Sequence, residues 1–233
     1  NSTSFERDIR TGEILACNVN LNHVTLGGYL DTYFARCGAV DPRVAKNVCD
    51  PHIAGAIVRM FVARQVGFAL GLLPNSAGSY AYTPAQIRDR NFVKKHGFSA
   101  SILDDCSYNF IAQPEDKMTT DELMCRVGTY DRWAIEWGYR IFPGKDASER
   151  EENRERWNQE KQKDPSLHFL GGMDVRAQAE DLGNDHVIVN TQGIENLKYL
   201  CEHPDVWNVT DKTSLYVLQG RYEAVLNHYK QWV

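Results

Sequence analysis

The spacing of apolar and polar residues predicts one dominant helix in the first third of the chain. Apolar side chains recur through residues 53–70, beginning at Ile53 and Ile57, at intervals that place them on one helical face. Pro51 precedes this segment and Gly71 follows it, which is typical of the two ends of a helix. We expect Gly71 to provide the left-handed backbone that turns the chain sharply at the helix end.

Shorter patterns predict a small sheet before this helix and several helices after it. Alternating apolar positions over residues 13–21 favour a strand, and residues 8–12 read as the turn before it. Opposite charges recur one turn apart over residues 145–164 and predict an exposed helix. The remaining predictions are a break at Gly27-Gly28 followed by a short helix at 29–36, mostly loop at 37–51, a capped short helix at 85–92, a turn at 99–105, an extended stretch at 108–112, and helices at 119–138, 192–203 and 213–232.

The net charge and the lengths of the apolar runs bear on whether the chain binds nucleic acid or spans a membrane. The chain has 26 basic and 31 acidic side chains and a formal net charge of −5, which argues against nucleic acid as the main partner. No apolar run reaches the roughly 18 residues that a membrane-spanning helix needs.

The six cysteines leave two interpretations open. None of them forms a CxxC pair, and their density is too low for a disulfide scaffold. They are either scattered buried thiols or include one disulfide, for example between Cys37 and Cys49.

Residues 64–75 follow the frame of a zinc-peptidase signature without its chemistry. In HExxHxxGxxH, two histidines four residues apart share one helix face, a glutamate acts as general base, and a glycine lets the chain return a third histidine to the metal. Gly71 stands at the glycine position. The positions of the first histidine, the glutamate, the second histidine and the third histidine hold Arg64, Gln65, Phe68 and Pro74.

The surrounding segments make this alignment specific. The chain resembles, over nearly its whole length, a family of large bacterial zinc-dependent metalloproteases with a metzincin-like domain. Val66-Gly67, Leu70-Gly71-Leu72 and Asn75 match the segment HEVGHxLGLRHNF of that family. Further matching segments are 8–14 (DPRTGEI in the family), 41–43, 101–105 (SIMDY, with Leu103 in place of the methionine of the Met-turn), 109–116 (NYxAQPxD), 130–139 (YDxWAIxWGY), 180–183 and 196–197.

The resemblance implies a fold and a location. It implies an α/β chain of the α+β type with a metzincin-like zincin fold, mainly helical in its C-terminal half. Its small N-terminal sheet is expected to be incomplete, because the family's domain begins upstream of Asn1. We divide the chain into a metzincin-like domain at residues 1–145 and a helical C-terminal extension at 146–233 packed on it. The family also implies export to the periplasm, the cell surface or the medium.

The substitutions imply that the family's zinc is absent. A guanidinium is permanently charged and offers no lone pair, a phenyl ring has no donor atom, and proline has neither a side-chain donor nor an N–H. Gln65 is close to glutamate in shape but does not take up a proton near neutral pH. We therefore expect no catalytic zinc, no other cofactor and no catalytic residue at these positions.

A hypothesis for the former metal site follows from the replacements. Phe68 and Pro74 are expected to fill its volume, and Arg64 to replace the lost positive charge by pairing with a carboxylate of Asp104 or Asp105. The residues expected to line the remaining cleft are Gly71, Asn75, Asp104, Asp105 and Tyr108.

The predicted function is that of a pseudopeptidase, a bacterial cell-envelope module that binds a peptide, protein or glycan in the remnant cleft without cutting it. The strand at 13–21 is a candidate for pairing with an extended peptide. A purely structural domain is a second possibility. An active metallopeptidase or other hydrolase with a relocated metal site is the alternative, and its ligands would come from the dispersed histidines. These are His23, His52, His96, His168, His186, His203 and His228.

Overall fold

The chain folds into a mainly helical structure with one two-stranded antiparallel sheet at its N-terminus. A computed structural model describes residues 2–46, 49–170, 174, 176, 178, 180–209 and 213–233. The α+β prediction, with its small N-terminal sheet, is confirmed. The described elements are β1 (Ser2–Arg7), β2 (Ile14–Asn20), α1 (His23–Cys37), α2 (Arg43–Lys46), α3 (Pro51–Ala69), α4 (Pro84–Arg88), α5 (Arg90–His96), α6 (Thr120–Leu123), α7 (Thr129–Tyr139), α8 (Ala147–Lys161), α9 (His186–Glu202) and α10 (Leu215–Trp232), with 3-10 turns at Pro114–Asp116, Pro165–Leu167 and Pro204–Trp207.

The N-terminal hairpin has the predicted turn and second strand. The Asp8 amide donates to the Glu13 carbonyl over 2.9 Å, and the Gly12 amide donates to the Asp8 carbonyl over 2.8 Å. Gly12 has a φ of +74°, which glycine adopts without steric strain. Residues 2–7, for which the sequence pattern predicted no element, form the partner strand β1 and pair antiparallel with β2.

Helix α3 begins as its sequence predicts. The Asp50 carboxylate caps it by accepting from the amides of His52 at 2.9 Å and Ile53 at 3.2 Å, and Pro51 occupies its first turn. Ile53 and Ile57 are buried in the core, so the apolar face identified from the sequence is the face that packs.

Helix α1 is longer than predicted. It starts at an Asn22 cap and runs through Gly27-Gly28 without a break. Tertiary packing against α3, α9 and α10 outweighs the weak helix preference of the two glycines, which was the basis for predicting a break. The predicted loop at 37–51 similarly contains the short helix α2.

The single helix predicted at 119–138 is divided into α6 and α7. Between them the chain is extended, and Met124 forms an isolated antiparallel bridge with Tyr108. Gly128 lies against the backbone of Ala100, where a Cβ atom would come within 2.0 Å of the carbonyl oxygen. Only glycine allows this close approach. Gly128 has an extended backbone, so the helix predicted at 119–138 is interrupted there.

The helix predicted at 85–92 is likewise divided into α4 and α5. Asp89 has an extended backbone and caps the second helix through its carboxylate, which accepts from the Asn91 amide over 2.8 Å. An aspartate carboxylate that accepts from a nearby backbone amide competes with the hydrogen bonds of a continuous helix. This explains why the predicted helix at 85–92 is divided at Asp89.

The hydrophobic core continues across residue 145. Phe110 stacks on Trp232 of α10 with ring centroids 4.5 Å apart. The buried Asn196 of α9 donates from Nδ2 to the carbonyls of Phe110 at 2.9 Å and Ala112 at 2.8 Å. Both C-terminal helices therefore pack on the same core as α1 and α3, and the domain division at 145/146 stays a prediction. Helix α8 buries none of its residues, consistent with its charged sequence.

The suggested disulfide between Cys37 and Cys49 is wrong. Both residues lie in the described part of the chain and no disulfide joins them. Cys37 is buried at the end of α1, where its Sγ lies 3.8 Å from the Asn109 carbonyl oxygen, whereas Cys49 is exposed. Across the described residues, no helix has the length and apolar character that crossing a bilayer requires.

Candidate functional site

The end of α3 has the geometry that the zinc-peptidase frame requires. The Leu72 amide donates to the Gly67 carbonyl and the Gly71 amide to the Phe68 carbonyl, each over 3.0 Å. With Gly71 at a φ of +95°, these bonds form a Schellman motif. The predicted left-handed stop at Gly71 is therefore observed, and it turns the chain from the helix toward Pro74.

Arg64, at the position of the first zinc-binding histidine, points inward and not into solvent. Its Nε donates to the Ile102 carbonyl over 2.8 Å, and its Nη1 donates to the Ser107 hydroxyl over 3.2 Å. Its Nη2 donates to the Asp104 main-chain carbonyl. The guanidinium therefore joins α3 to the loop at 102–107, which corresponds to the Met-turn in the frame of the signature.

The carboxylates named as partners of Arg64 are engaged elsewhere. The Asp104 carboxylate accepts from the Ser79 amide and the Ser99 hydroxyl, each over 2.7 Å. Asp105 accepts from the Ser76 hydroxyl over 2.8 Å. Within the described part of the chain, Arg64 has no carboxylate within 4.0 Å. Two carbonyl dipoles and a hydroxyl stabilise the charge of Arg64. The predicted ion pair with Asp104 or Asp105 is wrong.

The Asp104 side chain is fully buried, and its environment opposes ionisation. Burial raises the pKa of Asp104 to about 7, although its bonds to Ser99, Cys106 and Ser79 favour the carboxylate. These donors converge on one side chain and hold the loop in its compact shape. Asp104 is therefore an internal support for the loop.

Gln65, at the position of the general base, faces the N-terminal hairpin. Its Oε1 accepts from the Thr3 hydroxyl over 2.7 Å. Arg7 adds a second contact by donating from Nη2 to the Ala69 carbonyl over 2.6 Å. Strand β1 thus lies against the C-terminal half of α3, and an uncharged hydrogen bond occupies the position where the signature requires a proton acceptor.

Phe68 and Pro74 differ in their surroundings. Phe68 is partly buried, packs on the core and lines a cavity of about 620 Å³ together with Thr3, Phe5 and Gln65. Pro74 is exposed. Phe68 therefore fills volume as expected, whereas Pro74 does not, because the loop that carries it stays at the surface.

Leu103, at the position of the Met-turn methionine, is buried beneath α3. A Cβ atom at Gly67 would lie 3.4 Å from the Leu103 methyl groups, so helix and loop are in close contact here. The Leu103 carbonyl accepts from the Asn75 amide over 3.1 Å. The loop at the Met-turn position therefore packs beneath α3, with leucine as the side chain in contact.

The five proposed cleft residues do not share one surface. Asn75, Asp104 and Tyr108 are fully buried. Asn75 donates from Nδ2 to the His168 carbonyl over 3.1 Å, and the Tyr108 hydroxyl donates to the Tyr29 carbonyl over 3.2 Å. Only the exposed Gly71 and the half-buried Asp105 are accessible, and the other three are each held in the interior by separate hydrogen bonds.

The residues at the signature positions do not fit the zinc that the resemblance implies. Zinc needs lone pairs from imidazole, thiolate or carboxylate groups at about 2.0–2.3 Å. Arg64, Phe68 and Pro74 have none, and hydrogen bonds to the loop occupy the only polar side chain among them. Elsewhere in the described ranges, no three His, Cys, Asp or Glu side chains lie close enough to hold a metal.

Sequence reasoning missed two features of this region. The Thr3 hydroxyl on Gln65 was not foreseen, because β1 itself carries no clear alternation. An aromatic cavity on the other side of the 70–73 loop, formed largely by α7, was also missed. The spacing of Trp133 and Trp137 one turn apart was the available signal, and only the fold shows what their shared face meets.

Comparison with known proteins identifies the family. The Met-zincin family model matches residues 46–233, which is most of the chain. No curated protein and no solved structure matches the chain. The match begins before α3 and extends through α10, so it includes residues 64–74, the loop at 102–107 and the C-terminal helices. The chain belongs to the Met-zincin family.

Proposed function

We propose that this metallopeptidase-like domain is catalytically inactive and serves as a binding or scaffold module. The observation that carries the proposal is the Arg64 side chain, whose guanidinium occupies the first ligand position and bonds to the loop that lies beneath the metal in an active site. A fixed positive charge here repels a divalent cation as well as failing to coordinate it.

The second support is the loss of the general base. In the signature, the glutamate accepts a proton from zinc-bound water. Gln65 is uncharged, and Thr3 already donates to its Oε1. Zinc binding and proton transfer are thus lost together, so restoring one without the other would not restore hydrolysis.

A relocated nucleophile is not favoured by the thiols near the site. Cys106 and Cys125 are fully buried, and burial raises the pKa of Cys106 to about 12. A thiol needs a lowered pKa and access to substrate in order to attack a peptide bond. The alternative of an active hydrolase therefore requires a site that these groups do not provide.

The partner and the location are proposed from the family resemblance. We propose a peptide, protein or glycan of the bacterial cell envelope as the partner, with the domain exported to the periplasm, the cell surface or the medium. Strand β2, which corresponds to the predicted strand at 13–21, is the proposed site of pairing with an extended segment, because β1 is its one strand partner in the described sheet.

Zinc stoichiometry combined with a peptidase assay tests the loss of activity. The purified chain is dialysed against buffered zinc, its metal is counted by mass spectrometry, and a mixed peptide library is scanned for cleavage. We expect far less than one zinc per chain and no cleavage. One zinc per chain with turnover that a chelator abolishes would overturn the proposal.

A double variant provides the matched control. Arg64→His with Phe68→His creates two histidines four residues apart on one face of α3, an arrangement that can hold a divalent ion weakly. We expect this variant to retain zinc, which the natural chain should not retain. It should not gain peptide cleavage, because Gln65 cannot act as a general base. Circular dichroism establishes that the variant is folded.

A further inference from the structure

A second cavity, of about 500 Å³, lies on the far side of the loop that follows α3. Helix α7 forms one wall, the C-terminal half of α8 another, and the chain around Phe169 a third. Its volume falls within the roughly 300–1,000 Å³ of ordinary ligand sites. Asn75 holds this wall in place, because its Nδ2 donates to the His168 carbonyl over 3.1 Å and its Oδ1 accepts from the Leu170 amide over 3.4 Å.

The cavity presents an unusual density of aromatic surface. Trp137, Tyr139 and Phe169 are 42%, 58% and 45% exposed, and all three line it. Tyr130 and Trp133 form its deeper part, with ring centroids 5.6 Å apart. Exposed apolar patches are typical of binding surfaces, and aromatic side chains supply a large contact area there.

The lining itself is uncharged and disfavours saccharides, and Arg154, which is not among the lining residues, lies with its Cζ 5.2 Å from the Trp137 ring centroid. No charged side chain occurs among the described residues that line the cavity, and its polar side chains other than tyrosine and tryptophan are Asn158 and Gln162. Each sugar ring carries several hydroxyls that need partners, and burying them unpaired costs free energy. Too few polar groups are present here to satisfy such a ligand.

Two polar atoms of the wall have no hydrogen-bond partner among the described residues. Trp133 Nε1, a donor, and Asn158 Oδ1, an acceptor, are both buried. Such groups carry a desolvation cost that a ligand can relieve. A peptide backbone supplies a carbonyl for the indole N–H and an amide N–H for the carboxamide oxygen, and both side chains belong to the lining of the cavity.

We propose that this cavity binds an extended, uncharged, proline-rich peptide segment, in which interspersed residues other than proline supply the backbone N–H for Asn158 Oδ1. Proline rings pack on aromatic faces, and the polyproline II conformation leaves its carbonyl oxygens free to accept from an indole N–H. Such a segment is also nearly fixed before binding, so a shallow aromatic site can hold it at a small entropic cost. The assignment rests on the proposed binding role, but it does not depend on whether zinc binds.

Titration calorimetry with a capped synthetic peptide of about ten residues, built from Ala-Pro-Pro-Pro-Pro repeats, tests the assignment. We expect saturable binding to the natural chain and none of a Gly-Ser peptide of the same length. Trp137→Ala is expected to weaken binding at least about tenfold, since accessible tryptophans dominate such interfaces. Tyr216→Ala is the matched control, because Tyr216 is an aromatic residue 76% exposed on α10 and outside this cavity, and it should leave the affinity unchanged.

Asn158→Leu separates a ligand contact from a structural one. Because Asn158 Oδ1 has no partner in the described structure, the variant should unfold at the same temperature as the natural chain or slightly higher. Its affinity for the proline-rich peptide should nevertheless fall several-fold. A lowered unfolding temperature with unchanged affinity would show that Asn158 is structural and would contradict its role here.

Two outcomes would overturn the assignment as a whole. One is the absence of peptide binding to a natural chain that is folded and shows its normal thermal transition. The other is binding of a neutral oligosaccharide, added in a parallel titration, that Trp137→Ala abolishes while the peptide remains inert. Neither outcome depends on the zinc and cleavage measurements, so failure here and failure of the inactivity proposal are distinguishable.

Discussion

The Arg64 guanidinium donates from Nε to the main-chain carbonyl oxygen of Ile102 over 2.8 Å. This bond runs from the helix that would carry the zinc ligands to the loop that would lie beneath the metal. In an active enzyme of this type, the zinc ion would lie above this loop and would be held by ligands of the helix and of the segment that follows it. Here a side-chain cation of α3 makes the connection, so the two elements stay joined without a metal.

Replacing Arg64 with methionine should destabilise the fold by about 2–4 kcal/mol, because the carbonyls of Ile102 and Asp104 would lose a charged donor. Urea unfolding followed by circular dichroism measures the loss. Arg59→Met is the control on the same helix. Arg59 is mostly exposed and pairs with Asp121 at 3.3 Å on the surface, so its loss should cost about 0–1 kcal/mol. Equal effects of the two variants would contradict a structural role for Arg64.

Two glycines of the α3 region should respond to alanine in opposite directions. Gly71→Ala should cost about 1–2 kcal/mol, because alanine is strained at a φ of +95°. Gly55→Ala should stabilise the chain by about 0.5–1 kcal/mol, because Gly55 is exposed within the helix and nothing lies within 4 Å of an added Cβ. Thermal unfolding of both variants tests the pair, and a harmless Gly71→Ala would mean that the helix does not end in this motif.

The buried His228 should make stability depend on pH. Burial and the neighbouring Arg36 charge lower the pKa of His228 from 6.5 to about 4. Arg36 also donates to its Nε2 over 3.3 Å, so the ring is neutral in the fold. Because the folded pKa lies below the unfolded one, the contribution is fully present above pH 6.5 and is lost as pH falls toward about 4.

Comparing the natural chain with His228→Gln isolates this contribution, since glutamine can still accept from Arg36. The stability difference between the two proteins should shrink by on the order of 3 kcal/mol between pH 6.5 and pH 4. The difference is the quantity to follow, because Asp104 contributes with the opposite sign. Burial raises the pKa of Asp104 from 3.8 to about 7, so its stabilisation is lost as pH rises through that range. A difference that is constant with pH would contradict the neutral state of His228.

The three buried thiols should resist alkylation in the folded chain. Cys37, Cys106 and Cys125 are inaccessible, and burial raises the pKa of each thiol. Iodoacetamide labelling followed by mass spectrometry should modify the exposed Cys17 and Cys201 first, and the buried three only after denaturation. Rapid native labelling of Cys106 would show that the region behind the loop opens.

The frame of the site was predictable from sequence because its signals are local. Pro51 and Gly71 mark the two ends of α3 by backbone preference alone, and the apolar face between them follows helical spacing. The absence of donor atoms at Arg64, Phe68 and Pro74 is likewise a property of the residue types and needs no structure.

The partners of Arg64 were not predictable, because they are main-chain carbonyls. Every residue has a main-chain carbonyl, so the residue types at positions 102 and 104 do not indicate the contact. The same limit explains the division of 119–138. Gly128 interrupts the helix because the Ala100 backbone lies against it, and that contact joins positions far apart in sequence. Burial of Asn75 and Tyr108, which were expected to line a cleft, also arises from tertiary packing.

Anomalous diffraction at the zinc edge, from crystals grown with zinc in excess, shows whether Arg64 takes the place of a metal ion. We expect no anomalous peak among Arg64, Phe68 and Pro74, and electron density that places the guanidinium within hydrogen-bond distance of the Ile102 carbonyl. A zinc peak at this position, with Arg64 turned away from the loop, would contradict this role of Arg64.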